Sequence, residues 1–247
     1  MEDSQLVAKA RRLRVAFLFV ALLLAGAGHA DDLSVYFPTA IGNTWRYSVA
    51  KSSVISGQGK PRRRSEKKGS LVDAIVERRT DGTAVLRRTV NESNSAMDEL
   101  TMSALMELRS EPTSVSVIAV GTEPDAPRPL AVPNELLSDR VPGRVVQTNQ
   151  GSLLFETRLV SQAKASTEVP AGKFSECLLT ETKGPVSGFL SGLPVKSGSL
   201  WVKIWYARDV GLVREDRTLQ IVATTPDGEA VTVEEVASKL LESYTQP

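Results

Sequence analysis

Long helical periodicity is nearly absent from residue 32 onward, and short runs of β-branched and apolar residues alternate with turn residues instead. A two-residue period buries every second side chain and leaves the rest to solvent, so such runs pair as half-buried antiparallel strands. Trp45, Tyr47 and Val49 share one face of a first strand, and Arg46 and Ser48 share the other. Residues 71–79 and 83–91 flank Thr80, Asp81 and Gly82, and an Asp-Gly pair between two β-prone runs predicts a hairpin. Further runs over 100–108, 114–120, 145–149, 153–162, 174–182, 200–208 and 212–224 bring the expected total to about ten strands. The expected fold is mainly β, a single antiparallel curved sheet or half-barrel with long loops and little helix, rather than a doubly wound α/β fold.

Three connections in this reading are long: a basic one over 52–70, a proline-rich one over 121–142 and a glycine-punctuated one over 183–199. Connections beyond about 12–15 residues are uncommon in compact domains and often functional. Pro124, Pro127, Pro129, Pro133 and Pro142 deny ladder donors to the second, and a short helical turn is expected over 133–138. At the C-terminal end Val233, Val236, Leu240, Leu241 and Tyr244 fall at helical spacing, whereas Ser238, Leu240, Glu242 and Tyr244 alternate as in a strand. A helical turn followed by a closing strand accommodates both patterns.

Residues 1–30 carry the parts of a secretory signal. Lys9, Arg11, Arg12 and Arg14 lead, an apolar run from 15 to 27 follows, and Gly28, His29 and Ala30 end in small residues at the cleavage positions. The run is short for a membrane span of about 20 residues. The expectation is therefore a periplasmic or secreted protein, with residues 31–247 as a single exported β domain and no transmembrane segment. His29 is the chain's one histidine and would leave with the leader, which removes imidazole-based nucleophilic triads and histidine-ligated metal sites from consideration. Cys177 is the one cysteine and cannot form a disulfide within its own chain; between strand-like neighbours it reads as a small buried hydrophobe. The net charge of +1 comes from 30 basic and 29 acidic residues, a balance that offers nucleic acid no global field.

Three segments are candidates for binding. Lys60, Arg62, Arg63, Arg64, Lys67 and Lys68 form a basic run that could grip an anion or an envelope protein partner, set against the plainer reading of a solvated loop. Phe189, Leu190, Leu193 and Val195 in the glycine-punctuated segment read either as a flap over an apolar cavity or as a plug for the protein's own core. In the strand over 200–208, Trp201 and Trp205 alternate with Leu200, Val202, Ile204 and Tyr206; with Trp45 and Tyr47 they are candidate lining for a ligand. No catalytic residue is assigned. Glu156, Glu168, Glu176, Glu181, Glu215 and Asp216 are available for carboxylate chemistry, but strand carboxylates among Arg and Lys usually face solvent, and there is no phosphate loop, metal-ligand cluster or serine-hydrolase elbow. No cofactor is expected.

Tyr36-Phe37-Pro38 followed by Gly42-Asn43-Thr44-Trp45-Arg46-Tyr47 resembles the opening block of a group of uncharacterised bacterial exported proteins described as TapB-like. Val169-Pro170-Ala171-Gly172-Lys173-Phe174 with Cys177-Leu178, and Trp205-Tyr206-Ala207 through Val210-Gly211-Leu212-Val213, resemble two later blocks of the same proteins. The resemblance implies an exported, mainly antiparallel β domain with a closing strand over 240–245, and no established activity. The expectation that follows is a non-enzymatic binding module for a lipid or other amphipathic ligand, with docking on an envelope partner through 60–68 as the alternative.

Overall fold

The computed structural model describes residues 32–57, 60–94, 97–122, 127–138, 144–148 and 151–247, with backbone alone at 60–61, 92–94, 97–102, 128–138, 144–148 and 151–152. The signal-like residues 1–30 lie outside this set. A 3-10 turn at Leu33–Tyr36 precedes β1 (Thr44–Gly57), β2 (Lys60–Arg78), β3 (Ala84–Asn94), β4 (Met97–Glu111), β5 (Ser114–Thr122) and β6 (Arg128–Ser138). Then come β7 (Arg144–Thr148), β8 (Gly151–Phe155), β9 (Arg158–Val169), β10 (Gly172–Leu190), β11 (Leu193–Ala207), β12 (Gly211–Thr224) and β13 (Ala230–Thr245). Among the described residues no helix is long and apolar enough to cross a membrane.

The strands run in the order β6-β5-β4-β3-β2-β1-β13-β12-β11-β10-β8-β7, with β9 also on β10. All neighbours are antiparallel, and β1 pairs with β13, joining the first and last of these strands in the middle of the sheet. Curvature follows from what the ends of this order touch. Val115 of β5 and Leu178 of β10 lie far apart along the sheet, yet they share a buried cluster with Leu33, Tyr36 and Tyr206. The 3-10 turn ties the two sides together: the Leu33 amide donates to the Pro112 carbonyl at 2.8 Å, and the Asp209 amide donates to the Val35 carbonyl at 2.8 Å. The sheet is a half-barrel, with its main core of Trp45, Tyr47, Leu71, Ile75, Leu86, Leu108 and Leu241 at the end held by this turn.

The Asp-Gly hairpin forms as expected between β2 and β3. The Thr83 amide donates to Asp81 Oδ1 at 2.9 Å, and Gly82 takes φ 85°, which glycine adopts without steric cost. Among the described residues thirteen strands replace the expected ten or so, because the three long connections contain strand. Residues 52–70 continue the β1–β2 ladder as far as Gly57 opposite Lys60, with β13 on the other edge of β1. Residues 183–199 form the end of the β10–β11 hairpin, closed at Ser191 and Gly192, whose φ values of 53° and 80° suit a tight turn of type I′ sign. The expected helical turn over 133–138 is instead part of β6, which among the described residues pairs with β5 alone; an edge strand tolerates proline because one side needs no donors. The run over 153–162 divides into β8 and β9 at Glu156 and Thr157. The C-terminal segment is strand throughout, since β12 and β1 engage both of its edges and leave no room for a helical turn.

Candidate ligand-binding face

β2, β1, β13, β12 and β11 lie side by side, and their register sets side chains of the inner face in rows. Leu71, Tyr47 and Leu241 form a buried apolar row. The next row reads Gly69, Val49, Lys239, Glu215 and Ile204; the one after it reads Lys67, Lys51, Ala237, Arg217 and Val202; then come Ser65, Ser53, Glu235, Leu219 and Leu200. A belt of charges therefore crosses the sheltered face between two apolar regions.

The belt is held by ion pairs that follow from cross-strand neighbourhood. Arg88 Nε and Nη2 donate to Asp73 Oδ1 and Oδ2 at 2.8 and 2.7 Å, a two-pronged pair on directly opposite residues. Burial would lower the Arg88 pKa, but the charge and hydrogen bonds of Asp73 outweigh it and the guanidinium is held more firmly protonated. Lys239 Nζ lies 3.1 Å from Glu215 Oε2 and holds that carboxyl below its usual range, against the opposing pull of burial. Glu235 accepts from Arg217 Nη2 at 2.7 Å and lies 2.5 Å from Lys51 Nζ. Tyr47 donates its hydroxyl to the Leu212 carbonyl at 3.0 Å, with Lys239 Nζ 5.1 Å from its ring centre; burial first, then Asp73, pushes its phenol well above the usual range. Around the belt Val49, Val90, Met106, Val202, Ile204 and Leu219 are half-buried and apolar.

The residues singled out from sequence are distributed unequally. Trp45 and Tyr47 are each 3% exposed, and Trp45 Nε1 donates to the Val210 carbonyl at 2.5 Å, so both belong to the core beneath the belt. Trp201 and Trp205 point to the opposite face from Val202 and Ile204. There Trp201 Nε1 donates to Glu181 Oε1 at 2.9 Å beneath Lys203, and Arg214 stacks 4.8 Å from the Trp205 ring. Of the apolar hairpin end, Phe189 is exposed, Leu193 is half-buried, and Leu190 packs with Val195 against Leu153, Val186 and Ile221, covering the protein's own core.

Strand alternation divides the basic run. Arg63 and Lys67 fall on the inner face, and Arg62, Arg64 and Lys68 fall on the outer; Lys60 is described by its backbone. Arg64 pairs with Glu66 at 2.7 Å and Arg62 approaches Glu234 at 3.8 Å, both exposed pairs of little energetic weight. Glu215 and Asp216 are successive strand residues on opposite faces, so they cannot act as an acid–base pair; Asp216 is engaged by Arg214 at 2.6 Å. Among the described residues no group of three histidine, cysteine, aspartate or glutamate side chains could hold a metal. An open hollow of about 740 Å³ at the bend of β10 is lined by Glu156, Arg158, Lys183 and Pro185.

Sequence reasoning missed Asp73, Arg88, Lys239, Arg217 and Glu235, and named Glu215 only among carboxylates expected to face solvent. One signal was available: Asp73 stands between Leu71 and Ile75 at the two-residue period of an apolar face, where an unpaired carboxylate would be costly.

Fold and site together define an antiparallel β half-barrel with an ion-paired inner face. No protein-family model matches the chain, and no curated protein matches it. Among solved structures it is similar to Ail, the attachment invasion locus protein of Yersinia pestis, at 10% identity and a TM-score of 0.21, covering 82% of this chain and 99% of that one. It is also similar to a LolA superfamily protein from Nitrosomonas europaea, at 12% identity and a TM-score of 0.21, covering 85% and 90%. Likenesses this distant carry no argument about function.

Proposed function

We propose that this chain is an exported, non-enzymatic binding module of the bacterial envelope that holds an apolar or amphipathic ligand on the inner face of its half-barrel. The observation that carries this reading is the composition of that face. Half-buried Val49, Val90, Met106, Val202 and Ile204 flank a charged belt inside a curved sheet, Val49, Val90 and Met106 resting on the main core and Ile204 on the cluster around Tyr36, which gives a sheltered surface both apolar area and polar anchors. A fully packed core would bury those side chains, and a solvent face would not carry them together. Docking through the basic run has less support, because alternation sends its cations to two faces.

The test is native mass spectrometry of the full chain, expressed with its own leader and purified from a bacterial periplasm without detergent. An adduct of lipid mass that survives gentle activation and disappears in Val202→Asp is the expected result. A bare protein mass in repeated preparations, together with unchanged thermal stability on adding medium-chain amphiphiles, overturns the reading.

A further inference from the structure

We propose a further binding site in the open hollow of about 740 Å³ at the bend of β10, where Arg158 and Lys183 receive a small organic carboxylate or phosphate with an apolar body. The site stands independently of the reading given for the inner face. Three irregularities of the backbone meet there and shape the hollow. β10 leaves β9 after Lys183 and takes up β8 at Val186. β9 carries an extra residue, Val160, because Leu159 pairs with Thr182 and Ser161 with Glu181. The third is a close crossing, in which Gly184, having no side chain, lets the backbone of Glu156 and Thr157 pass against it. Bulges of this kind re-aim side chains and gather beside binding sites, and the volume is that of a small-molecule site.

Two cations line the hollow side by side. Arg158 is directly opposite Lys183 in the β9–β10 ladder, and Lys183 is directly opposite Trp201, so both cations fall on the outer face with that indole. Opposite side chains on one face start about 5 Å apart, where like charges repel. Among the described residues no carboxylate lies within ion-pair distance of either cation. Glu156 also lines the hollow, exposed and joined to neither of them, so the lining carries one positive charge in excess. A single excess charge suits one oxyanion rather than a polyanion, and the guanidinium fork of Arg158 matches oxyanion geometry while Lys183 adds a point charge. Beside the cations, Leu159 is half-buried, Val160 is 56% exposed and Pro185 is exposed, an apolar surface on which the body of the ligand rests.

The experiment titrates the isotope-labelled full chain with hexyl phosphate, heptanoate, hexanol and inorganic phosphate, and follows backbone amide and arginine side-chain signals by NMR. The expected result is a saturable shift of the Arg158, Gly184 and Ser199 signals. Hexyl phosphate or heptanoate should bind at least about tenfold tighter than either hexanol or inorganic phosphate, and the tighter of the two oxyanions identifies the head as phosphate or carboxylate. Arg158→Gln and Lys183→Gln, both at exposed positions, should each weaken binding about threefold or more, and Glu156→Gln should strengthen it by removing the one opposing charge. Val202→Asp, on the inner face, should leave it unchanged. Hexanol binding as tightly as the oxyanions, or affinity indifferent to both cation substitutions, overturns the anion site. Inorganic phosphate binding as tightly as hexyl phosphate overturns the apolar body. Shifts confined to Val49, Val202 and Ile204 overturn the location and leave the inner-face reading standing, and no saturable shift at about 10 mM ligand overturns the proposal whole.

Discussion

Asp73 is 4% exposed on a face otherwise built of Leu71, Ile75 and Leu86, and Arg88 meets both of its oxygens. Removing one partner strands the other. Asp73→Asn should therefore lower stability by about 3 kcal/mol in urea unfolding, whereas replacing Asp73 with Leu and Arg88 with Met together should cost much less, because no unpaired charge remains. Glu215 gives a pH signature. Its folded pKa is depressed, so its contribution is present above the ordinary glutamate range and is lost as pH falls through the lowered folded value. Urea midpoints measured from about pH 7 to about pH 3 should fall less steeply in Lys239→Met than in the parent. Cys177 is fully buried, and burial pushes its thiol up to about 11. A thiol-specific reagent at about pH 8 should react with it only after denaturant is added, since the thiolate is the reactive form.

At the scale of elements, β10 does two jobs because it bends. Its first part pairs with β9, and Val186, Ser187 and Gly188 pair with β8, which brings Leu153 and Phe155 onto Ile221 and Leu219. The crossing is tight at Gly184, where a Cβ would stand 2.1 Å from the Glu156 carbonyl oxygen and 2.6 Å from the Thr157 Cα. Gly184→Ala should destabilise the protein by about 1–3 kcal/mol, with the loss of hydrogen-exchange protection concentrated in β8. Such a contact between segments distant in sequence leaves no local mark, which is why 183–199 reads as a loop until it is seen folded. The same limit explains 52–70: Lys, Arg and Ser occupy both faces there, so alternation carries no hydrophobic signal although the ladder is continuous. The hairpin at Asp81-Gly82 and the face shared by Trp45 and Tyr47 were legible because a turn residue and a two-residue apolar period mark them locally. The charged belt was legible only at Asp73, since Lys51, Arg217 and Glu235 meet through register rather than spacing.

The half-barrel as a whole depends on a short segment that belongs to neither side. Tyr36 is fully buried between β5, β10 and β11, and the backbone bonds of Leu33 and Val35 join the β4–β5 turn to the β11–β12 turn. Tyr36→Ala should cost about 4 kcal/mol by calorimetric unfolding, and limited proteolysis of that variant should open both turns together. The pairing of β1 with β13 reaches further, into the order of events during synthesis. A chain made from its N-terminus leaves one edge of β1 without its partner until β13 emerges, and an unpaired strand edge is a template for aggregation. Removing β13 takes away the central seam of the sheet rather than its margin, so fragments that lack only β13 should be as unstable as much shorter ones. A sheet sewn shut by β13 stays open while the strands before it are being made.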